Sequence, residues 1–246
     1  MMLDLAHDPE GRRLPVVARP ALFRRRSIWL PTVWGSLLAC VLALVIIGLT
    51  LRRVHDFLAV DEPVNAEVLV VEGWIGPDAL REVLPLVRAA GYRQVVTTGG
   101  RVRLWDERIG ESSYAALARQ SLIEQGLAAD DVIALPAPDS AQDRTYLSAV
   151  RVRMWAREQT RPPRKLDVLS GGAHSRRTRR MYQLAFGDSA TIGIRSARPL
   201  DYEAEIWWQT SAGAKTVLGE SISWLWSLLF FFPPEPGSEA EMWGNP

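Results

Sequence analysis

Hydrophobic and polar positions divide the chain into one long apolar run and a series of short alternating ones. Residues 28–51 read IWLPTVWGSLLACVLALVIIGLTL, 24 residues without a charge. At about 1.5 Å rise each they make a helix roughly 36 Å long, enough to cross a hydrocarbon core of about 30 Å with some tilt. Pro31 stands near its start, where a helix accepts proline, and Trp29 and Trp34 fall where an interfacial belt would place them. A cleaved signal peptide is the competing reading. Its apolar region is shorter, about 7–15 residues, and ends at small residues, whereas this run ends at Leu51-Arg52-Arg53.

Beyond the run, compact β patterns alternate with helical ones. Strands are predicted over 68–71, 94–98, 132–135, 166–170 and 191–195 from short runs rich in Val, Ile and Leu. Helices are predicted from Gly76-Pro77-Asp78 to about 90, then over 111–125, 142–159, 174–186 and 212–231; Gly91, Gly126 and Arg161-Pro162-Pro163 stop the first three. Strand and helix in strict alternation predict an α/β fold, a Rossmann-like open, mainly parallel sheet with helices on both faces, behind one N-terminal transmembrane helix. The expected organisation is an Arg-rich N-terminus over 1–27, the transmembrane helix over 28–51, a stalk over 52–65, the α/β domain over 66–232 and a flexible tail over 233–246. Ligands of such sheets bind at the carboxyl ends of the strands, which points to the loops 72–76, 98–103, 137–145 and 170–177.

Charge sets the topology. Arg12, Arg13, Arg19, Arg24, Arg25 and Arg26 precede the apolar run, while Arg52 and Arg53 after it are soon followed by Asp56, Asp61 and Glu62. By the positive-inside rule the N-terminus is expected in the cytoplasm and the α/β domain outside it, periplasmic or extracytoplasmic on a bacterial inner membrane. Over all 246 residues, 29 Lys+Arg balance 28 Asp+Glu, so a dedicated nucleic-acid binder is not expected. With 48% hydrophobic residues the chain has ample material for a core. The single cysteine, Cys40, excludes an intramolecular disulfide and a cysteine zinc site, and His7, His55 and His174 are too far apart to suggest a metal cluster. No cofactor is expected, and the oligomeric state is left open.

The densest chemistry lies at Ser170-Gly-Gly-Ala-His174-Ser-Arg-Arg177-Thr-Arg-Arg180. A strand feeds a glycine loop and the loop feeds a helix N-terminus, where free N–H groups and the helix dipole favour an anion. His174 and Arg177, three apart, share a helical face; Arg179 and Arg180 read as a solvated surface. Thr98-Gly99-Gly100 repeats the device more weakly at the neighbouring strand. Neither loop completes a G-x-G-x-x-G or a P-loop, and no G-x-S-x-G elbow is present. Glu72, Glu111, Asp139 and Asp143 are acid–base candidates near the same edge, with Asp139 and Ser140 also suiting a turn and cap. The last helix carries Trp224 and Trp226 in an eleven-residue apolar stretch too short to span a bilayer; it packs on the sheet or meets the membrane surface.

These residues also carry a resemblance. The segment AEVLVVEGWI from Ala66, the Val96-Thr-Thr-Gly-Gly100 strand and loop, Asp143-Arg-Thr-Tyr146, the 170–177 segment and Trp207-Trp208-Gln-Thr-Ser-Ala-Gly213 leading to Glu220 occur in an order similar to the YdcF-like family, which includes SanA- and ElyC-like proteins. The resemblance covers about 66–229. It implies a Rossmann-like domain, in several members behind a single membrane helix, and associates SanA- and ElyC-like members with envelope barrier integrity and cell-wall lipid-carrier metabolism, and a YdcF-like member with S-adenosylmethionine. It implies pocket positions at Gly73, Thr98, Gly99, Gly100, Thr145, His174 and Arg177. Where many relatives have Gly-Gly after the first strand, this chain has Glu72-Gly73-Trp74.

The expected function is that of a membrane-anchored extracytoplasmic protein of envelope or cell-wall biogenesis. It binds an anionic or phosphorylated small molecule or lipid carrier, with hydrolysis or transfer as the reaction if it is an enzyme. His174 is the candidate acid/base, because its ordinary pKa lies near neutrality, and Glu72 the carboxylate that orients it or binds a hydroxyl. Gly73, Thr98, Gly99, Gly100, Thr145 and Arg177 are the ligand contacts. The alternative is a non-catalytic metabolite-binding or scaffold protein of the envelope.

Overall fold

The computed structural model describes residues 30–102, 113–140 and 143–243. The N-terminal arginines, Trp29 and Glu111 lie outside the described residues. Two compact units divide the chain, 1–45 and 46–246. The first contains the start of helix α1 (Val33–Leu58). Among the described residues α1 is the one helix long and apolar enough to cross a membrane, and its apolar side chains are exposed.

The second unit begins inside α1. The helix does not end at Arg52-Arg53, where the apolar run does, but continues to Leu58. The expected stalk is therefore helical in its first half, and it is docked. His55 and Leu58 are buried, Leu58 in a cluster with Ala173, Tyr202, Trp207 and Val217, and the Trp207 indole donates to the Leu51 carbonyl at 3.2 Å. Val54 and Leu58, four apart, continue an apolar stripe beneath the charges of Arg52, Arg53 and Asp56.

Five strands form one parallel sheet: β1 (Val68–Glu72), β2 (Gln94–Gly99), β3 (Val132–Pro136), β4 (Lys165–Gly171) and β5 (Thr191–Ala197), in the order β3-β2-β1-β4-β5. This is the Rossmann-like α/β fold expected from the alternation of patterns. Central β1 is buried at every position, as a strand covered on both faces must be. Its side chains alternate between two cores. Val68 and Val70 join Tyr146, Val150, Met181 and Tyr182 on one face, while Leu69 and Val71 join Leu80, Val83 and Leu122 on the other.

The helix predicted over 76–90 is two, α2 (Pro77–Arg81) and α3 (Val83–Ala90). Pro85 has no N–H to give the Arg81 carbonyl and its ring crowds that oxygen, so the chain breaks at Glu82. Helix α4 (Tyr114–Glu124) opens on Ser113, whose hydroxyl accepts from the Ala116 amide at 3.0 Å. Helices α5 (Arg144–Glu158), α6 (Ser175–Phe186) and α7 (Ser211–Leu229) follow the pattern.

The tail departs from expectation. It returns to the domain as a short helix, α8 (Glu239–Trp243), and buries Glu241. The Arg153 guanidinium forks onto that carboxylate at 2.8 and 2.5 Å, and Tyr146 Oη and the Gly237 amide also donate to it. Both partners of this ion pair are buried, so the end of the chain is fastened by charge rather than by an apolar run, which hydropathy does not register.

Candidate functional site

The strand order reverses between β1 and β4, and the carboxyl ends of the strands around that switch point line a cavity of about 740 Å³. Thr98, Gly99 and Gly100 reach it from β2, Glu72 and Trp74 from β1 and its loop, Asp143, Arg144 and Thr145 from the start of α5, and His174 and Arg177 from the start of α6. Helix α7 closes the fourth side with Glu220, Ile222 and Trp226.

At its centre is a cluster that joins α5, α6 and α7. His174 Nδ1 lies 2.9 Å from Glu220 Oε1, and the Arg177 fork reaches the same carboxylate, Nε to Oε2 at 3.0 Å and Nη2 to Oε1 at 3.1 Å. Burial by itself would raise the Glu220 carboxyl, but the hydrogen bonds and charges of His174 and Arg177 outweigh it and hold the group at about 2. An ionised Glu220 assigns the tautomer: the proton sits on Nδ1, where the carboxylate accepts it. Arg177 Nη2 stands 2.9 Å from that nitrogen too, but a donor cannot bond an N–H, so its hydrogens go to Glu220. His174 Nε2 is the nitrogen that faces Thr145 Oγ1, at 3.4 Å. The Trp74 ring meets the imidazole edge-on, with centroids 4.8 Å apart.

Glu72 does not orient His174. Its carboxylate is buried and accepts from the Ser170 and Thr178 hydroxyls, which ties the end of β1 to β4 and α6. The carboxylate on His174 belongs to Glu220. Gly73 also departs from expectation: it is buried and does not line the cavity, because the chain entering α4 crosses it so closely that a Cβ would collide with the Tyr114 carbonyl. Gly99, at φ +140, is pressed by Tyr114 as well, whereas a Cβ on Gly100 would find ordinary contacts. Of the paired glycines only Gly100 is open enough to suit close approach of a ligand.

Two features favour a polar or anionic ligand. The N-terminus of the fifteen-residue α5 opens on the cavity with Asp143 at its cap position in the left-handed region, φ 54, making no side-chain cap bond; burial raises the Asp143 carboxyl. The Thr98 hydroxyl, on the cavity wall, is buried and has no hydrogen-bond partner among the described residues. Positive potential is local, because Glu72, Asp139, Asp143 and Glu220 line the cavity beside Arg101, Arg144 and Arg177. Among the described residues no three His, Cys, Asp or Glu side chains gather as a metal-binding group.

Glu220 ends the last of the motifs that carry the resemblance, but motif reading assigned it no role in the site. One signal marks it: between Lys215 and Glu235 it is the only charge in the sequence, and a lone carboxylate in an apolar helix needs a partner.

Fold and site together define a Rossmann-like α/β protein with a cavity of mixed polar and apolar lining at its switch point, on a chain whose N-terminal helix is able to cross a membrane. No family model matches the chain, and no curated protein matches it.

Proposed function

We propose that the chain is a YdcF-like protein of the bacterial envelope, anchored in the inner membrane by α1 with the α/β domain outside the cytoplasm, and that its cavity binds and turns over a phosphorylated ligand, small or lipid-linked. The observation that carries the reading is His174, set between an ionised carboxylate and a hydroxyl on the cavity wall. The six arginines before the apolar run support the topology. The α5 N-terminus and the unpartnered Thr98 hydroxyl support a phosphoryl group, and Ile222 and Trp226 on one wall suit an apolar substituent.

In this reading His174 Nε2 takes the Thr145 proton as Oγ1 forms a bond to phosphorus, and the bond to the leaving oxygen breaks. The imidazolium, held by Glu220, returns that proton to the leaving group. Water, deprotonated by the same nitrogen, then forms a bond to phosphorus as the Thr145 Oγ1–P bond breaks, and the imidazolium returns the proton to Oγ1, which frees phosphate and restores the threonine. Arg177 fixes the Glu220 carboxylate, and Trp74 shields one face of the ring.

A non-catalytic binding or scaffold role is the second reading, favoured by one observation: Arg177, Glu220 and His174 already satisfy one another. The test uses the full chain in detergent with inorganic phosphate, sugar phosphates, nucleotides and short prenyl phosphates, following melting temperature and phosphate release. A ligand at 100 times its Kd adds about 2.7 kcal/mol. Release by the parent chain and not by Thr145→Val or His174→Ala supports the enzyme; stabilisation without release selects the binding role; neither response to any phosphorylated probe sinks both. A reporter fused after Pro246 checks the side of the membrane, and a cytoplasmic signal overturns the topology.

A further inference from the structure

The outer face of α7 carries large apolar side chains on which nothing packs among the described residues. Leu218, Ile222, Leu225 and Leu229 recur at spacings of four, three and four, one stripe of an α-helix, and each is about half exposed or more. Phe230 and Phe232 extend it at 64% and 80% exposure. Gly213, Val217 and Ser227 face inward. The stripe carries no charge, because Glu220, the only ionisable group between Lys215 and Glu235, turns inward to His174 and Arg177. A contiguous apolar face of this size on a folded domain marks a surface that is covered in use.

The chain itself says what covers it. The Trp224 ring packs edge-on against Phe57, with centroids 4.8 Å apart, and Trp207 bonds the Leu51 carbonyl. Leu51 ends the apolar run, and Phe57 lies six residues further along the same helix, an axial rise of about 9 Å. The polar zone between hydrocarbon and water is about 5–8 Å deep on each side of a bilayer. A run of about 36 Å fits a core of about 30 Å only when tilted, which brings that rise to about 7–8 Å along the bilayer normal, so α7 is joined to α1 at headgroup depth, where tryptophan and phenylalanine partition well.

We propose that α7 lies on the bilayer, its Leu218–Leu229 stripe and the phenylalanines beyond it sunk into the interface, so that the domain rests on the membrane by a second contact besides its anchor. The contact rests on α1 being a membrane anchor, and it is the same whichever side the domain faces. Because Ile222 and Trp226 also line the cavity, the mouth of the site then opens at the lipid surface. Its uncharged face needs no anionic lipid.

The test is spin-label depth measurement on the full chain in phosphatidylcholine vesicles. In a Cys40→Ser background, single cysteines replace Ile222, Leu229 or, as a solvent-facing control on α3, Arg88; the parent chain is labelled at its own Cys40. The expected result is an oxygen-to-nickel-chelate accessibility ratio several-fold higher at 222 and 229 than at 88, unchanged when phosphatidylglycerol is added. Ratios at 222 and 229 equal to that at 88, with Cys40 deep in lipid, overturn the contact and leave the anchor standing. A Cys40 label accessible to the chelate overturns the anchor reading itself. Dipolar broadening at 229 that vanishes on dilution with unlabelled chain shows a second copy on the face and also overturns the proposal.

Discussion

Glu220 Oε1 and His174 Nδ1 stand 2.9 Å apart although 46 residues separate them in the chain. The pair decides which nitrogen of the imidazole carries the proton, and so which one faces Thr145. Glu220→Gln removes the charge and nearly keeps the shape, so the tautomer is no longer imposed. Turnover of a phosphorylated probe is expected to fall by a factor of about 100 or more while melting changes less, as loss of a positioning carboxylate implies. Unchanged turnover in Glu220→Gln would remove His174 from the mechanism.

The same pair makes stability depend on pH. The Glu220 carboxyl is lowered on folding from 4.5 to about 2. For a depressed acid the stabilisation is fully present above the unfolded value and is lost as pH falls toward the folded one. The difference in melting temperature between the parent chain and Glu220→Gln is thus expected to be constant near neutrality and to shrink from about pH 4.5 downward. It corresponds to at most about 3 kcal/mol. A difference that does not change over that window would mean the carboxylate is not held by His174 and Arg177.

Thr98 separates binding from stability. Its hydroxyl is buried without a partner among the described residues, so Thr98→Val removes an unmet desolvation penalty and is expected to leave the melting temperature unchanged or higher. If the hydroxyl serves the ligand, affinity for a phosphorylated probe falls by about 1 kcal/mol, several-fold in Kd. A lower melting temperature with unchanged affinity would assign Thr98 to the core alone.

The glycines differ in kind. Gly73→Ala puts a methyl group into the Tyr114 carbonyl, and Gly99→Ala adds a positive-φ cost to the same crowding; each is expected to cost about 2 kcal/mol or more in chemical unfolding. Gly100→Ala meets only ordinary contacts and is expected to fold normally while weakening ligand binding. Equal stability losses at all three positions would contradict this division.

The tail fastening gives a last expectation. Glu241→Ala leaves the Arg153 guanidinium buried and unpaired, which costs about 3–5 kcal/mol, whereas Arg153→Met combined with Glu241→Leu restores most of it. Urea unfolding of the three chains measures this. A neutral Glu241→Ala would mean that the tail is not docked.

The strands, the glycine stops and the long apolar helix were legible from the sequence because each depends on local pattern. Val68–Glu72 reads as a buried strand from its own residues, and 28–51 as a helix long and apolar enough to cross a membrane from its length and absence of charge. The position of the cavity was legible in outline. Thr98, Gly99, Gly100, Thr145, His174 and Arg177 lie near one strand edge by topology, and the structure lines one cavity with all six. Glu72 was expected to orient His174 or to bind a hydroxyl; the Ser170 and Thr178 hydroxyls that it accepts from become visible only in the folded chain.

What the sequence determined by itself is therefore what neighbours within a few residues dictate: periodicity, turns, breaks and the apolar length of α1. What only the tertiary structure decided is pairing across distance. Glu220 meets His174, Glu241 meets Arg153 across 88 residues, and Tyr114 presses on Gly73. A buried charge or a crowded glycine restricts which partner is tolerated, by desolvation and by steric exclusion. It does not say where along the chain that partner stands, and only packing of the helices on the sheet supplies that.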